Sequence, residues 1–141
     1  MTAPTTLHAV CVSWEGKGVL IQGQSGSGKS SIALQLLAFG CDLVADDRVH
    51  VVAKDGVLIA TSPLPIRDMI EARGIGLISA SSADTAEIAF VVDLDEIETD
   101  RLPEHRTVTI LGCQLPLIYR VDAPHFAPAI LQLLKRGWKE A

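Results

Sequence analysis

The sequence predicts an α/β fold that carries a phosphate-binding loop on a mixed, hairpin-rich sheet. Three observations predict it. The octapeptide Gly23-Gln24-Ser25-Gly26-Ser27-Gly28-Lys29-Ser30 fits G-x-x-x-x-G-K-[ST] in full. It stands directly after the apolar run Val19-Leu20-Ile21 and directly before a segment with helical periodicity. Elsewhere, short β-branched runs joined by turn residues outnumber helical periods. That pattern excludes the regular strand–helix alternation of a large doubly wound domain.

Taken in order, Leu7–Ser13 is an apolar, β-branched run and predicts a strand. Trp14-Glu15-Gly16-Lys17-Gly18 reads as a turn, and Gly18–Gln22 resumes the strand, so the chain opens with a hairpin. After the loop, Ile32, Ala33, Leu36, Leu37 and Gly40 share one helical face, with Gly40 as the stop. Leu43-Val44-Ala45 is a short buried strand ending at Asp46-Asp47. Val49–Ala53 and Val57–Thr61 flank Lys54-Asp55-Gly56, and the Asp-Gly pair predicts a second hairpin. Ser62-Pro63-Leu64-Pro65 breaks the pattern, and Gly74 and Gly76 argue for a loop over Met69–Gly74 leading into a strand at Ile75–Ser79. Ile88–Leu94 reads as a buried strand, Asp95–Arg106 as a polar connection, and Thr107–Leu111 with Gln114–Arg120 as another strand pair. A helix from Pro128 or just before it, carrying Ile130, Leu131, Leu133 and Leu134, closes the chain.

The 141 residues suit one domain spanning 1–141, with 48% hydrophobic and 21% charged residues, as in an ordinary globular protein. A formal charge of −5 argues against a nucleic-acid partner, whose binders carry a basic excess. Cys11, Cys41 and Cys113 are dispersed and form no metal-binding or disulfide pattern, which fits a reducing compartment. The N-terminus lacks a signal-like n-region and no apolar run approaches a membrane span, so a cytoplasmic protein without membrane contact is expected.

The chemistry begins at the loop. Glycines let successive backbone N–H groups turn toward phosphate without Cβ clashes, and the following helix adds its positive dipole end. Lys29 is placed to reach the β- and γ-phosphates of a nucleotide, and the Ser30 hydroxyl to ligate Mg²⁺, with Ser31 adjoining. Phosphoryl transfer also needs metal carboxylates and a group that positions the nucleophile. Asp46 and Asp47 end the strand after the loop's helix, where strand ends gather around ligands. Strand alternation would aim one at the phosphates and leave the other to brace the loop. For Glu71, His8 and Arg101 the residues alone leave bland roles open: a surface ion pair, a structural histidine and a solvated cation.

A family resemblance links these residues. Leu7-His8-Ala9-Val10, the loop Gly23–Ser30, the block Cys41-Asp42-Leu43-Val44-Ala45-Asp46-Asp47-Arg48-Val49 and the segment Glu71-Ala72-Arg73-Gly74-Ile75-Gly76-Leu77-Ile78 occur in that order. Asp100-Arg101-Leu102 and Ile110-Leu111-Gly112 with Leu115-Pro116 follow. The pattern resembles HPr kinase/phosphorylase, the bacterial enzyme that phosphorylates a serine of the phosphocarrier protein HPr. The resemblance implies a phosphoenolpyruvate-carboxykinase-like catalytic core, in the short form without an N-terminal domain. It implies ATP and Mg²⁺ as cofactors, an HPr-type protein as substrate, and a homo-oligomer, hexameric in the family. By position, Asp47 would take the serine proton, its proton affinity raised by Asp46. Ser30, Glu71 and Asp46 would hold Mg²⁺, and His8, Lys29 and Arg101 would neutralise the transferring phosphoryl group.

The sequence departs from the family in four places. Ala9 replaces a usual glycine, and only six residues precede Leu7. Tyr119–Phe126 lacks the Arg-Pro-Gly-Arg-Asn element used in dephosphorylation, which leaves the reverse, phosphorolytic reaction without its family residues. The interval from Glu71 to Arg101 is shorter than usual, making Arg106 the substitute candidate. A non-catalytic ATP sensor and a small-molecule P-loop kinase are the alternative readings.

Overall fold

A computed structural model describes residues 4–63 and 68–139. Among these residues the chain runs β1 (Thr5–Trp14), β2 (Lys17–Gln22), α1 (Lys29–Ala38), β3 (Asp42–Ala45), β4 (Arg48–Lys54) and β5 (Val57–Thr61). It continues through β6 (Met69–Ala72), β7 (Gly76–Ser79), β8 (Thr85–Ile97), β9 (Arg106–Ile110), β10 (Cys113–Arg120) and α2 (Phe126–Arg136).

Three hairpins form where turn chemistry allows them. Glu15-Gly16, Asp55-Gly56 and Leu111-Gly112 all have positive φ at both central residues, the two-residue turn whose twist matches that of paired strands. The opening hairpin β1–β2, the Asp-Gly hairpin β4–β5 and the late pair β9–β10 thus lie where the sequence predicts them. Gly40 ends α1 as expected, in a left-handed conformation (φ 106°) with its N–H donating to the Leu37 carbonyl at 3.0 Å.

The sheet is mixed and partly closed. β1 pairs antiparallel with β2 on one edge; on the other it pairs with β4 along Thr5–His8 and with β3 along Cys11–Ser13. β4 passes to β5, β5 pairs with the start of β8, and β8 runs parallel to β2. The path β2-β1-β4-β5-β8 therefore closes on itself. β10 lies parallel along the later part of β8, and β9 covers the outer edge of β10.

Side-chain alternation divides the interior into two cores. Val10, Val12, Val19 and Ile21 face α1 and α2, packing with Leu36, Ile130 and Leu134. Ala9, Cys11, Leu20, Val51 and Leu58 point into the closed ring. A bulge opposite Gly18-Val19 puts Ala89 and Phe90 consecutively on the helix side, after Ile88 faces the ring. The free thiols are buried; burial pushes Cys11 up to about 12, and burial with the nearby Asp42 charge pushes Cys41 up to about 11.

Two elements correct the sequence reading. Met69–Ser79 is a complete hairpin, β6–β7, in a separate two-stranded sheet, because Gly74 lies in its tight connection and Gly76 opens β7 opposite Ala72, so neither glycine interrupts a strand. β8 also continues through Asp95 to Ile97, since β10 gives its polar end a parallel partner. Of the predicted break at Ser62–Pro65, Leu64 and Pro65 lie outside the described residues. None of the helices among the described residues is long and apolar enough to cross a membrane.

Candidate active site

β2 delivers the chain to Gly23, and the loop closes when the Ser27 N–H donates to the Gln24 carbonyl at 3.0 Å. Gly28 is the N-cap of α1 in a left-handed conformation (φ 102°, ψ 15°), which a side chain would resist. No side chain caps this helix and its first turn contains no acid, so its free N–H groups stay available to an anion. The Lys29 ammonium donates to the Gly23 carbonyl at 2.6 Å and to the Gln24 carbonyl at 3.1 Å. These carbonyls hold the charge at the loop's own mouth, where phosphate oxygens can replace them.

The loop forms one wall of a cavity of about 810 Å³. His8 from β1, Asp46 and Asp47 between β3 and β4, and Glu71 and Arg73 from the β6–β7 hairpin complete its polar lining. The hairpin reaches the loop because Ile70 and Ala72 are buried while the intervening Glu71 alternates outward, and β6 packs against α1.

Asp47 occupies the apex of a γ-turn. The Arg48 N–H donates to the Asp46 carbonyl at 2.8 Å, and Asp47 has φ 72°. Left-handed backbone in a non-glycine residue costs about 1–3 kcal/mol and persists only where the surroundings enforce it. Here the Ala9 N–H anchors the turn by donating to the Asp47 carbonyl at 3.1 Å. The sharp turn replaces the expected strand alternation, so both aspartates line the cavity instead of facing opposite ways.

The Asp46 carboxyl is pushed above its ordinary value by burial and by the adjacent Asp47 charge, with a further contribution from Glu71. Hydrogen bonds from the Glu71 backbone N–H and the Ser30 hydroxyl partly offset this. Burial and the paired charge thus raise the proton affinity of Asp46. Ser30, Asp46 and Glu71 together supply hard oxygen donors and more negative charge than the site holds comfortably. That donor chemistry fits Mg²⁺.

His8, Lys29, Ser30, Asp46, Asp47 and Glu71 thus converge on one cavity, as do Gly23, Gln24, Ser25, Gly26, Gly28 and Ser31. Ser27 is the exception within the loop: its hydroxyl is buried without a partner, under Gly23. Arg101 lies on the exposed β8–β9 connection and is not among the residues that line the cavity. Arg106 is engaged elsewhere, paired with Glu98 and stacked 4.2 Å from the centre of the Tyr119 ring. Burial works against ionisation of Glu98, but the Asp100 N–H, the Arg106 guanidinium and the Thr99 N–H outweigh it and hold the carboxyl below its ordinary value.

Two polar residues at this site received no role from sequence. Arg73 lines the cavity, and its position inside Glu71–Ile78 was a usable signal. Asp95 accepts a hydrogen bond from the Gln24 N–H at 2.9 Å. Its signal, an acid closing an apolar strand, is shared with many surface residues.

The family model described as HPr Serine kinase C-terminal domain matches residues 1–121. An HPr kinase/phosphorylase of Limosilactobacillus reuteri (strain DSM 20016) is 39% identical over 126 residues, covering 80% of this chain and 39% of that protein. One from Clostridium kluyveri (strain NBRC 12016) is 44% identical over 103 residues, covering 68% of this chain and 33% of its own length. The chain therefore spans well under half the length of these curated relatives. The solved structure of the Hpr(Ser) kinase/phosphatase from Coxiella burnetii superposes with a TM-score of 0.75 at 26% identity, covering 94% of this chain and 88% of that one. With its loop, its paired aspartates and its glutamate hairpin arranged as described, the chain belongs to the HPr serine kinase C-terminal domain family.

Proposed function

We propose that the chain is the catalytic module of an ATP- and Mg²⁺-dependent serine kinase acting on an HPr-type phosphocarrier protein. The observation that carries this reading is the meeting of Asp46, Asp47 and Glu71 with Ser30 and Lys29 in one cavity. A binding protein needs the loop; the carboxylates, one of them on a strained turn, suit a transfer reaction.

In this reading the backbone N–H groups of the loop and of the first turn of α1 hold the phosphates, with Lys29 moving from the Gly23 and Gln24 carbonyls onto phosphate oxygens. Asp47, on its turn, accepts the proton of the attacking serine hydroxyl. His8 and Arg73 face the transferring group as cationic or hydrogen-bonding partners. Ser30, Asp46 and Glu71 hold Mg²⁺, which when bound neutralises the charge of the β- and γ-phosphate oxygens. Arg101 has no place in this account within a single chain. The reading also includes a cytoplasmic homo-oligomer, supported by three free thiols and by the family's habit.

Labelled ATP, Mg²⁺ and an HPr-type protein, run beside its serine-to-alanine variant, test the reading. Label on the carrier that disappears in the alanine variant is the expected result. ATP binding without label on the carrier sinks the kinase reading in favour of a nucleotide sensor, and label on small metabolites alone favours a metabolite kinase.

A further inference from the structure

The parallel neighbour of the loop-bearing strand carries two aspartates in its later part, Asp93 and Asp95, that the reading above does not use. Asp93 pairs in register with Gln22, the last residue of β2, so this part of β8 lies beside the start of the phosphate loop. The Asp93 carboxylate accepts the Asp95 N–H at 2.9 Å, which fixes the chain direction at this point of the strand. Asp95 then accepts the Gln24 N–H at 2.9 Å, across 71 residues of sequence. The other side of the same residue is also committed: the Gln24 carbonyl accepts from the Ser27 N–H and from Lys29. Between them lies Gly23, where any Cβ would stand 3.2 Å from the Leu94 Cβ and against the Ser27 hydroxyl. Such close contact leaves little room for the loop entrance to shift.

An acid at the end of the strand beside a P-loop commonly serves the metal. Here that place is filled differently. The Ser30 hydroxyl is bonded to Asp46, from the opposite flank of the loop, and Asp95 is turned to the loop's first arm. We propose that Asp95 is a positioning residue that latches the entering arm of the phosphate loop to β8. The latch keeps the Gln24 N–H out of the phosphate cradle and sets the Gly23 and Gln24 carbonyls at the distance from which Lys29 transfers to phosphate. A loop held before the ligand arrives loses less conformational entropy on binding, so the latch acts on nucleotide affinity. Asp95 is solvent-exposed, which separates this role from fold stability.

The inference rests on the reading of the loop as a nucleotide site, and the test separates the two. Affinity for a fluorescent ATP analogue with Mg²⁺ is measured on the full chain for wild type, Asp95→Ala and Asp95→Asn, with melting temperatures alongside. Alanine removes the acceptor and should weaken binding about tenfold, the effect of one charge-assisted hydrogen bond. Asparagine retains a side-chain carbonyl for the Gln24 N–H and should recover binding to within about threefold of wild type. Native-state hydrogen exchange reads the bond directly: the Gln24 amide should exchange faster in Asp95→Ala and not in Asp95→Asn. That readout holds even where alanine lowers the melting temperature. Wild-type affinity in the alanine variant, or equal loss in both variants, overturns the latch. Absence of binding by the wild-type chain overturns the nucleotide reading, and the latch with it.

Discussion

The N–H of Arg48 donates to the carbonyl of Asp46 at 2.8 Å, and this one bond bends the chain so that Asp47 stands in left-handed backbone at φ 72°. Two consecutive carboxylates are thereby presented to the same cavity. The arrangement favours neither residue on its own: one backbone is strained and one carboxyl is held against ionisation. Both costs point to function over stability.

Replacing Asp47 by glycine relieves the strained turn and removes the proposed base. We expect Asp47→Gly to be as stable as wild type or more so, by up to about 1 kcal/mol, because glycine accepts φ near this value. Phosphoryl transfer should fall by about 10²–10⁴-fold, the range for loss of a general base. A melting curve and a transfer assay on the same preparation check both halves. Clear destabilisation contradicts the strain argument.

Asp46 makes stability depend on pH in a direction unusual for a carboxylate. Its folded value lies above its unfolded value of 3.8, so the folded chain binds the extra proton more tightly. The stability it contributes is complete below the unfolded value and is lost as pH rises through the raised one. Asp46→Asn, which cannot ionise, should melt about 2 °C higher than wild type at neutral pH, a small gain because the group is only half-buried and screened. The advantage should shrink as pH falls toward 4. Mg²⁺-dependent nucleotide affinity should drop in the same variant, which isothermal titration with and without Mg²⁺ resolves.

Glu98 behaves in the opposite sense. Held below its ordinary value, it contributes stability above its unfolded value of 4.5 that disappears as pH falls through the depressed one. Arg106→Met leaves that carboxylate, 7% exposed, without its guanidinium partner. The variant should melt below wild type at neutral pH, and the difference should narrow in acid. A pH series of thermal melts decides; a gap constant with pH would assign the loss to packing against Tyr119.

Lys29→Met removes the ammonium without removing the side chain's length. Transfer should fall by about 10²–10³-fold, as when one donor to a developing phosphoryl charge is lost. The loop also loses two hydrogen bonds that hold its entrance, so nucleotide affinity should weaken as well. Single-turnover transfer and equilibrium binding separate the two effects.

Leu36 is fully buried under the sheet about two turns beyond the loop's helix start. Leu36→Ala should cost about 2–5 kcal/mol. Chemical denaturation measures it, and a loss below 1 kcal/mol would contradict the packing described between α1 and the sheet.

Much of the fold was legible because it rests on local rules. Asp55-Gly56 turns wherever it is flanked by β-branched runs, and Gly40 ends a helix whatever lies around it. The β6 strand escaped notice because four residues, Met69–Ala72, beside two glycines contain too little pattern; it is made a strand by packing on α1. Within the site, the phosphate loop from Gly23 to Ser30 was readable from residue type and spacing, since backbone freedom and a single lysine define its chemistry.

The sequence by itself determined the loop, three of the hairpins and the candidacy of Asp46 and Asp47, while Glu71 entered only through the family resemblance. Only the tertiary structure decided that Asp46 and Asp47 line the same cavity, that burial and its acidic neighbours raise the proton affinity of Asp46, and that Arg106 is spent on Glu98 and Tyr119. It also brought Asp95 to Gln24. The physical reason is that proton affinity and side-chain partnership depend on which groups folding brings together, whether across a local turn, as at Asp46-Asp47, or across the sheet, as at Gln24 and Asp95. The latter distance is set when β2 and β8 run parallel.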